Sequence, residues 1–222
     1  IVRGEPEYTT LETVQNLSNL KDVLGISYRE EGRVVNNAGR PLIENLDELP
    51  FPARDLVDNS KYRIVSFPGE PVAMVLTSRG CPFDCTFCAT HLFYQRKRNV
   101  RSVENVVAEI EALGGEAIAN GANVAKYDEV EAMVRQAMET WGRVDILVNN
   151  AGILRDKSFH KGSLEDFQLV LDVHLMGTVN CTKACWDIMR DQGYGRIVST
   201  SSAAGIFGNF GQTNYGAAKL GL

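Results

Sequence analysis

The chain has 222 residues, of which 44% are hydrophobic and 23% charged, with a formal net charge of −5. That length holds one large domain or two small ones with a true core, and the composition excludes wholesale disorder. The acidic balance argues against nucleic acid or an anionic membrane surface as partner, and no apolar run reaches the roughly 18 residues of a membrane helix.

No charged-then-apolar leader opens the chain, so a cytoplasmic location is expected, and Ile1 in place of Met reads as the start of a piece of something longer. A short helix is predicted near Thr10–Leu20. A hairpin follows, with strands at Ile26–Tyr28 and Arg33–Val35 turning at Glu31-Gly32. Pro50 and Pro52 in LDELPFPARDL force an extended linker. The apolar run Val72–Leu76 predicts a buried strand ending at Gly80, with CPFDCTFC in the loop after it. SVENVVAEIEAL predicts a helix capped by Ser102, stopped by Gly114-Gly115 and buried along Val103, Val106, Val107, Ile110 and Leu113.

EAIANGANV reads as a strand leading to a turn. Asp128 and Glu131 form a capping-box pair opening a helix whose buried stripe is Val130, Met133, Val134, Ala137, Met138 and Trp141. VDILVNNAG is a strand again, its Ile146–Val148 run flush with a Gly-bearing loop, and Asp145 is a strand-start charge. Ser163 and Asp166 open a long helix through Met189, GRIVSTSS is another strand, and YGAAKLGL begins a last helix. The motif VNNAG occurs at Val35–Gly39 and at Val148–Gly152, and only the second copy ends a buried strand where a site forms.

From residue 71 onward strand and helix alternate, which predicts an α/β fold. The expected architecture is a partial Rossmann-like parallel sheet with helices on both faces, preceded by a small irregular N-terminal segment. The segments expected are 1–70, 71–112 and 113–222.

Cys81, Cys85 and Cys88 crowd into one loop, which in the absence of a secretory signal reads as metal binding in a reducing compartment. Three thiolates leave one iron of a four-iron cluster open. Zinc is the other reading, with His91 as a fourth ligand. Cys181 and Cys185, one helical turn apart, read as small buried hydrophobes. SRGCPFDCTFC, with Phe87 before the third cysteine, resembles the cluster motif of radical S-adenosylmethionine enzymes. GEPEYTTLETV, GISYREEGRVV and LDELPFPARDL resemble the tail of a cobalamin-binding domain and its link to the radical barrel. The resemblance covers roughly residues 1–112 and implies a 4Fe–4S cluster that chelates S-adenosylmethionine. The sequence departs from that family in carrying one strand–helix unit of the barrel and no histidine in the cobalamin-ligand context. Gly114-Gly115-Glu116 is similar to the family's methionine-binding triplet but reads here as a helix stop.

Tyr215 and Lys219 lie four residues apart in YGAAK, on one helix face, and an ammonium one turn from a phenol favours its ionised form. Ser202 closes the preceding strand, where its hydroxyl can meet a substrate oxygen. Together with VDILVNNAG and RIVSTSSAAG these residues resemble the short-chain dehydrogenase/reductase family over about residues 107–222. ILRDKSF, VHLMGT and GNFGQTNYGAAK look nearest to its (3R)-hydroxyacyl-CoA dehydrogenase branch. The resemblance implies NAD or NADP as cofactor, Tyr215 as general acid/base, Ser202 orienting the substrate oxygen and Lys219 holding the nicotinamide ribose. It places Asn149, Ala151 and Gly152 along the cofactor and Asn123 at an adenine contact. His174 falls where most members carry an asparagine that completes a proton relay. It also shares a helix face with Phe167, Val170 and Leu171, so relay and core packing both stand.

The glycine-rich turn that meets the dinucleotide pyrophosphate in this fold has no counterpart before residue 107, and the chain stops three residues past Lys219. Val72–Leu76 is the candidate to fill the neighbouring slot beside Ile146–Val148, which otherwise presents an apolar open edge. The shared helix would then pack on strands from both sides. The first reading is an NAD(P)-dependent oxidoreductase of hydroxyl or carbonyl groups, acting on a small molecule such as an acyl-CoA, impaired by the lost loop and with homo-oligomerisation expected. The alternatives are an iron–sulfur radical enzyme fragment and a non-catalytic or artefactual join of two truncated enzymes.

Overall fold

A computed structural model of the chain describes residues 1–58, 61–62, 74–82 and 88–222. The chain divides into two compact units, Ile1–Ala119 and Asn120–Leu222.

In the first unit, helix α1 spans Pro6–Gln15, earlier than the sequence pattern predicted. Pro6 presets the first helical φ and Glu7 places a carboxylate in the first turn, which together move the start forward. The predicted hairpin is present as β1 (Ser27–Glu30) and β2 (Arg33–Asn36), with Glu31 at φ 48° and Gly32 at φ 81° in the left-handed pair that a tight hairpin turn needs. Val23, Ile26, Ile43 and Leu46 form the buried apolar residues of this unit.

The predicted strand at Val72–Leu76 is corrected. Val72 and Ala73 lie outside the described residues, and Met74–Leu76 belongs to no strand. Its carbonyls face arginines instead: Arg54 donates to Met74 O at 2.7 Å and Arg101 to Leu76 O at 3.0 Å. The strand lies further on, β3 (Ser78–Gly80), antiparallel to β4 (Arg98–Val100), with the short helix α2 (Thr90–Tyr94) between them. Gly80 sits at φ +83°, and any Cβ there would overlap the Lys97 carbonyl oxygen.

Helix α3 (Val103–Ala112) starts as expected: Ser102 Oγ accepts from Asn105 N at 3.1 Å, and Gly114 at φ +83° ends the helix. Its expected apolar face is met in part, with Val106, Val107 and Ile110 half-buried, and corrected for the rest. Val103 and Leu113 are exposed, and the buried residue is Glu109, 2% exposed and ion-paired with Arg54 at 2.6 Å and with Arg101.

The second unit opens with a correction too. EAIANGANV forms no strand. Asn120 Oδ1 accepts from Ala122 N at 2.8 Å and Asn123 Oδ1 from Ala125 N at 3.0 Å, so these side chains hold their own backbone in turns. Helix α4 (Tyr127–Trp141) begins without a side-chain cap, so Asp128 and Glu131 make no capping box. It buries Val130 and Val134, whereas Trp141 is exposed.

Strand β5 (Ile146–Asn149) pairs in parallel with β6 (Arg196–Ser199), Leu147 opposite Ile197 and Asn149 opposite Ser199. The predicted long helix is present in three parts: α5 (Leu164–Leu171), a π-helical turn Asp172–Met176, and α6 (Gly177–Asp191). Ser163 Oγ caps α5 by accepting from Asp166 N at 3.1 Å. The short helix α7 (Ala203–Phe207) and then α8 (Thr213–Leu220) follow β6. Helix α4 packs on α6, and α5 and α7 both pack on α8. Val134, Cys185 and Met189 form a cluster against which Val144, Leu147 and Ile188 pack.

The parallel strand pair with its crossover helices makes the protein α/β and Rossmann-like. Among the described residues β5 pairs with β6 and no other strand, so the expectation that Val72–Leu76 fills the slot beside it is not met. Ile146 and Val148 remain 61% and 58% exposed, the open apolar character expected of an unfilled slot. Helix α3 lies in the first unit, whose end at Ala119 falls beyond it. No helix among the described residues is long and apolar enough to cross a membrane.

Candidate active site

Helix α8 places Tyr215 and Lys219 one turn apart. Lys219 is 4% exposed, and its ammonium donates to the Thr200 carbonyl just past β6. Ser201 Oγ donates in turn to Lys219 O at 2.9 Å, tying the strand end to the helix twice. Two glycines let α7 lie this close to α8. A Cβ on Gly205 would stand 2.9 Å from Leu220 N, and one on Gly216 would stand 3.0 Å from Ala204 O. Ser202 caps α7, accepting from Ala204 N at 3.2 Å, so its helix is packed against the one that carries Tyr215 and Lys219. The Lys219 ammonium lies 5.8 Å from the Tyr215 ring centroid.

His174 sits in the π-helical turn, 4% exposed. Its Nε2 lies 2.8 Å from Ile153 O and 3.1 Å from Ile153 N, donating to the first or accepting from the second according to tautomer. Its ring stands edge-on to Tyr215, centroids 5.1 Å apart. Gly152 backs the ring, and a Cβ there would collide with His174 Cε1. Nδ1 is buried with no hydrogen-bond partner. Burial holds the imidazole below its ordinary pKa, the bond to Ile153 opposes that shift, and the Lys219 charge adds to it. Burial likewise lowers Lys219.

Asn149, 8% exposed, donates from Nδ2 to Thr182 Oγ1 at 3.3 Å, and its carbonyl accepts from Thr200 N at 3.1 Å. Ala151 and Gly152 are exposed in the loop after β5. Asn123 is exposed and engaged with its own surroundings, its Oδ1 in the turn to Ala125 and its N–H donating to Glu129 Oε2 at 2.7 Å. The neighbouring Val124 is anchored to α6, where Asn180 Nδ2 donates to its carbonyl at 2.9 Å. Sequence reasoning missed Asn214. It is buried, donates to Arg155 O at 3.2 Å and accepts from Tyr215 N at 2.7 Å, fixing the first turn of α8. Its position directly before the tyrosine was the available signal.

Of the three clustered cysteines, Cys85 lies outside the described residues. Cys81 and Cys88 are half-buried, and Cys88 is hydrogen-bonded with Thr90 Oγ1 at 3.2 Å, which holds its thiol below the ordinary range. Among the described residues no three His, Cys, Asp or Glu side chains gather as a metal site. Cys181 and Cys185 are buried as expected, and burial pushes the Cys185 thiol up to about 11, far from a reactive thiolate. Asp145 is held by Arg143 at 2.7 and 2.8 Å, a paired strand-start charge.

A parallel strand pair, with a buried lysine and a tyrosine on a helix that follows its second strand, defines a Rossmann-like α/β core. The family model for short chain dehydrogenases matches residues 89–222, and the chain belongs to that family. It is 54% identical over 124 residues to the mouse peroxisomal multifunctional enzyme type 2, covering 54% of this chain and 16% of that protein. To the 3-oxoacyl-[acyl-carrier-protein] reductase of Synechocystis it is 50% identical over 121 residues, covering 54% and 49%. A crystal structure of a short chain dehydrogenase from Mycobacterium avium superposes with a TM-score of 0.50 at 45% identity, covering 53% of this chain and 44% of that one. The chain thus spans less than half the length of each of these relatives.

Proposed function

We propose that the second unit carries the proton-handling end of an NAD(P)-linked oxidoreductase that interconverts a secondary alcohol and a ketone, with a 3-hydroxyacyl or 3-oxoacyl thioester as substrate. The observation that carries this reading is Lys219. Its ammonium has three donors, and the contact to Thr200 O uses one, leaving two for a vicinal diol such as a ribose. That donor set, beside Tyr215, fits the nicotinamide-ribose end of a dinucleotide. The name of the Synechocystis relative, a 3-oxoacyl-[acyl-carrier-protein] reductase, favours an acyl substrate.

In this reading Lys219 and Asn149 hold and orient the cofactor, and the bound dinucleotide supplies the hydride acceptor or donor. Tyr215 Oη takes the proton from the substrate hydroxyl in oxidation and returns it to the carbonyl oxygen in reduction. Ser202 Oγ, already accepting from Ala204 N, directs its O–H toward the same oxygen. His174 stands behind Tyr215 with Nε2 on the Ile153 backbone, positioning the ring and linking it to the loop after β5. The test is turnover of a 3-hydroxyacyl thioester with either dinucleotide. Tyr215→Phe is expected to lower kcat by about 10²–10⁴ without unfolding the chain, the range of general acid–base contributions. Unchanged turnover in that variant would remove Tyr215 from the chemistry.

A further inference from the structure

Helix α8 begins at Gln212 without a side-chain cap, so the amides of its first turn need acceptors from elsewhere. The Tyr215 amide is one of them, since the bond that opens the helix runs from Gly216 N to Gln212 O at 2.7 Å. Asn214 Oδ1 accepts from Tyr215 N at 2.7 Å, and the same side chain donates from Nδ2 to Arg155 O at 3.2 Å. Asn214 is buried, so both ends of its amide are engaged where water does not compete.

Two more bonds join the same segments. Lys157 N donates to Gly211 O at 2.9 Å, and Gln212 Nε2 donates to Asp156 Oδ2 at 2.8 Å. From behind, Asp166 of α5 meets Arg155 at 3.4 Å and Lys157 at 3.1 Å. The loop Ile153–Lys157 therefore reaches Tyr215 by two routes. Ile153 holds the His174 imidazole that stands edge-on to the tyrosine ring, and Arg155 holds Asn214, which holds the tyrosine amide. The exposed ion pairs of Arg155 and Lys157 contribute little each, which leaves Asn214 as the buried link of the second route.

We propose that Asn214 is a positioning residue for Tyr215. It fixes the turn of α8 that carries the phenol against the loop after β5, and so sets where Tyr215 Oη stands relative to the substrate oxygen. This rests on the acid/base reading of Tyr215 and adds that Asn214 governs the proton-transfer step rather than dinucleotide binding. Lys219 is tied separately, to Thr200 O and through its own carbonyl to Ser201, so the ribose end does not depend on Asn214.

The test measures kcat and KM for 3-hydroxybutyryl-CoA, the Kd of the dinucleotide, and hydrogen exchange of the Tyr215 amide by NMR, all on the full chain. Asn214→Ala is expected to lower kcat at least about tenfold, within the 10² that a small misplacement costs, with KM and dinucleotide Kd unchanged. Its Tyr215 amide is expected to exchange about fivefold faster, the scale of one lost hydrogen bond. Asn214→Asp has the same shape, keeps the acceptor for Tyr215 N and loses the donor to Arg155 O. It is expected to retain the amide protection and to show an intermediate kcat. An unchanged kcat or unchanged Tyr215 exchange in Asn214→Ala would overturn the proposal, as would a loss carried by KM or by dinucleotide affinity. Should Asn214→Ala not fold, a parental kcat in Asn214→Asp would overturn it instead. A parent chain without turnover sinks the acid/base reading and the proposal with it, and is told apart because the exchange response of Tyr215 does not depend on turnover.

Discussion

The imidazole of His174 stands edge-on to the ring of Tyr215, with centroids 5.1 Å apart and planes at 86°. This contact joins the π-helical turn before α6 to the helix that carries the tyrosine, and a π-turn inside a helix is a frequent mark of a functional position. The same ring reaches the Ile153 backbone on its far side. His174 is thus a buried core side chain that also neighbours the candidate acid/base.

The buried imidazole gives the chain a pH signature. Its folded-state pKa is depressed, so the unfolded chain binds the proton first as pH falls. The stability contribution is fully present above the unfolded value of about 6.5 and is lost as pH falls from there toward the folded pKa. The slope approaches about 1.4 kcal/mol per pH unit while only the unfolded state is protonated. Urea midpoints measured at a series of pH values are expected to fall below about pH 6.5, and His174→Gln is expected to flatten that limb. An unaltered slope in the variant would assign the pH dependence elsewhere.

Gly152 is the seat for that ring. Gly152→Ala forces the histidine away from Ile153 or moves the loop after β5, and overpacking of this kind costs about 1–3 kcal/mol. Denaturant unfolding of the variant reads the cost directly, and a midpoint equal to that of the parent would contradict the close approach.

In the first unit, Glu109 is the test of whether a buried carboxylate anchors α3. Removing it leaves Arg54 and Arg101, 16% and 11% exposed, without their shared partner. Glu109→Ala is expected to destabilise by about 3 kcal/mol, the low end for a broken buried ion pair because both guanidinium groups keep some water. The carboxyl is shifted upward by burial and downward by its two arginines, with the net result below its ordinary range. Its contribution is therefore present above the unfolded carboxylate pKa and lost as pH falls through the folded value. A loss under about 0.5 kcal/mol, the size of a surface substitution, would show that the pair contributes little.

What was legible in the sequence was local. The Glu31-Gly32 turn, the serine caps at Ser102 and Ser163, the stop at Gly114, and the four-residue spacing of Tyr215 and Lys219 are decided by neighbours in the chain, and the structure places each as read. Strands are decided by what lies beside them. Met74–Leu76 has strand composition, but its carbonyls meet Arg54 and Arg101, and EAIANGANV has asparagines that satisfy its backbone without a sheet. The apolar spacing on α3 holds only in part for a related reason, since Arg54, distant in sequence, pairs with Glu109 and that residue is the buried one. The π-turn at His174 and the anchoring of Tyr215 by Asn214 leave no periodic trace at all.

Thermal unfolding with added NADH or NADPH tests whether Lys219 and Tyr215 form the proposed ribose end of a dinucleotide site. A ligand that binds only the folded state at 100 times its Kd stabilises by about 2.7 kcal/mol, which raises the unfolding temperature measurably. Such a rise is expected with at least one dinucleotide, together with its loss in Lys219→Met. No rise with either dinucleotide, or a rise that survives intact in Lys219→Met, would contradict it.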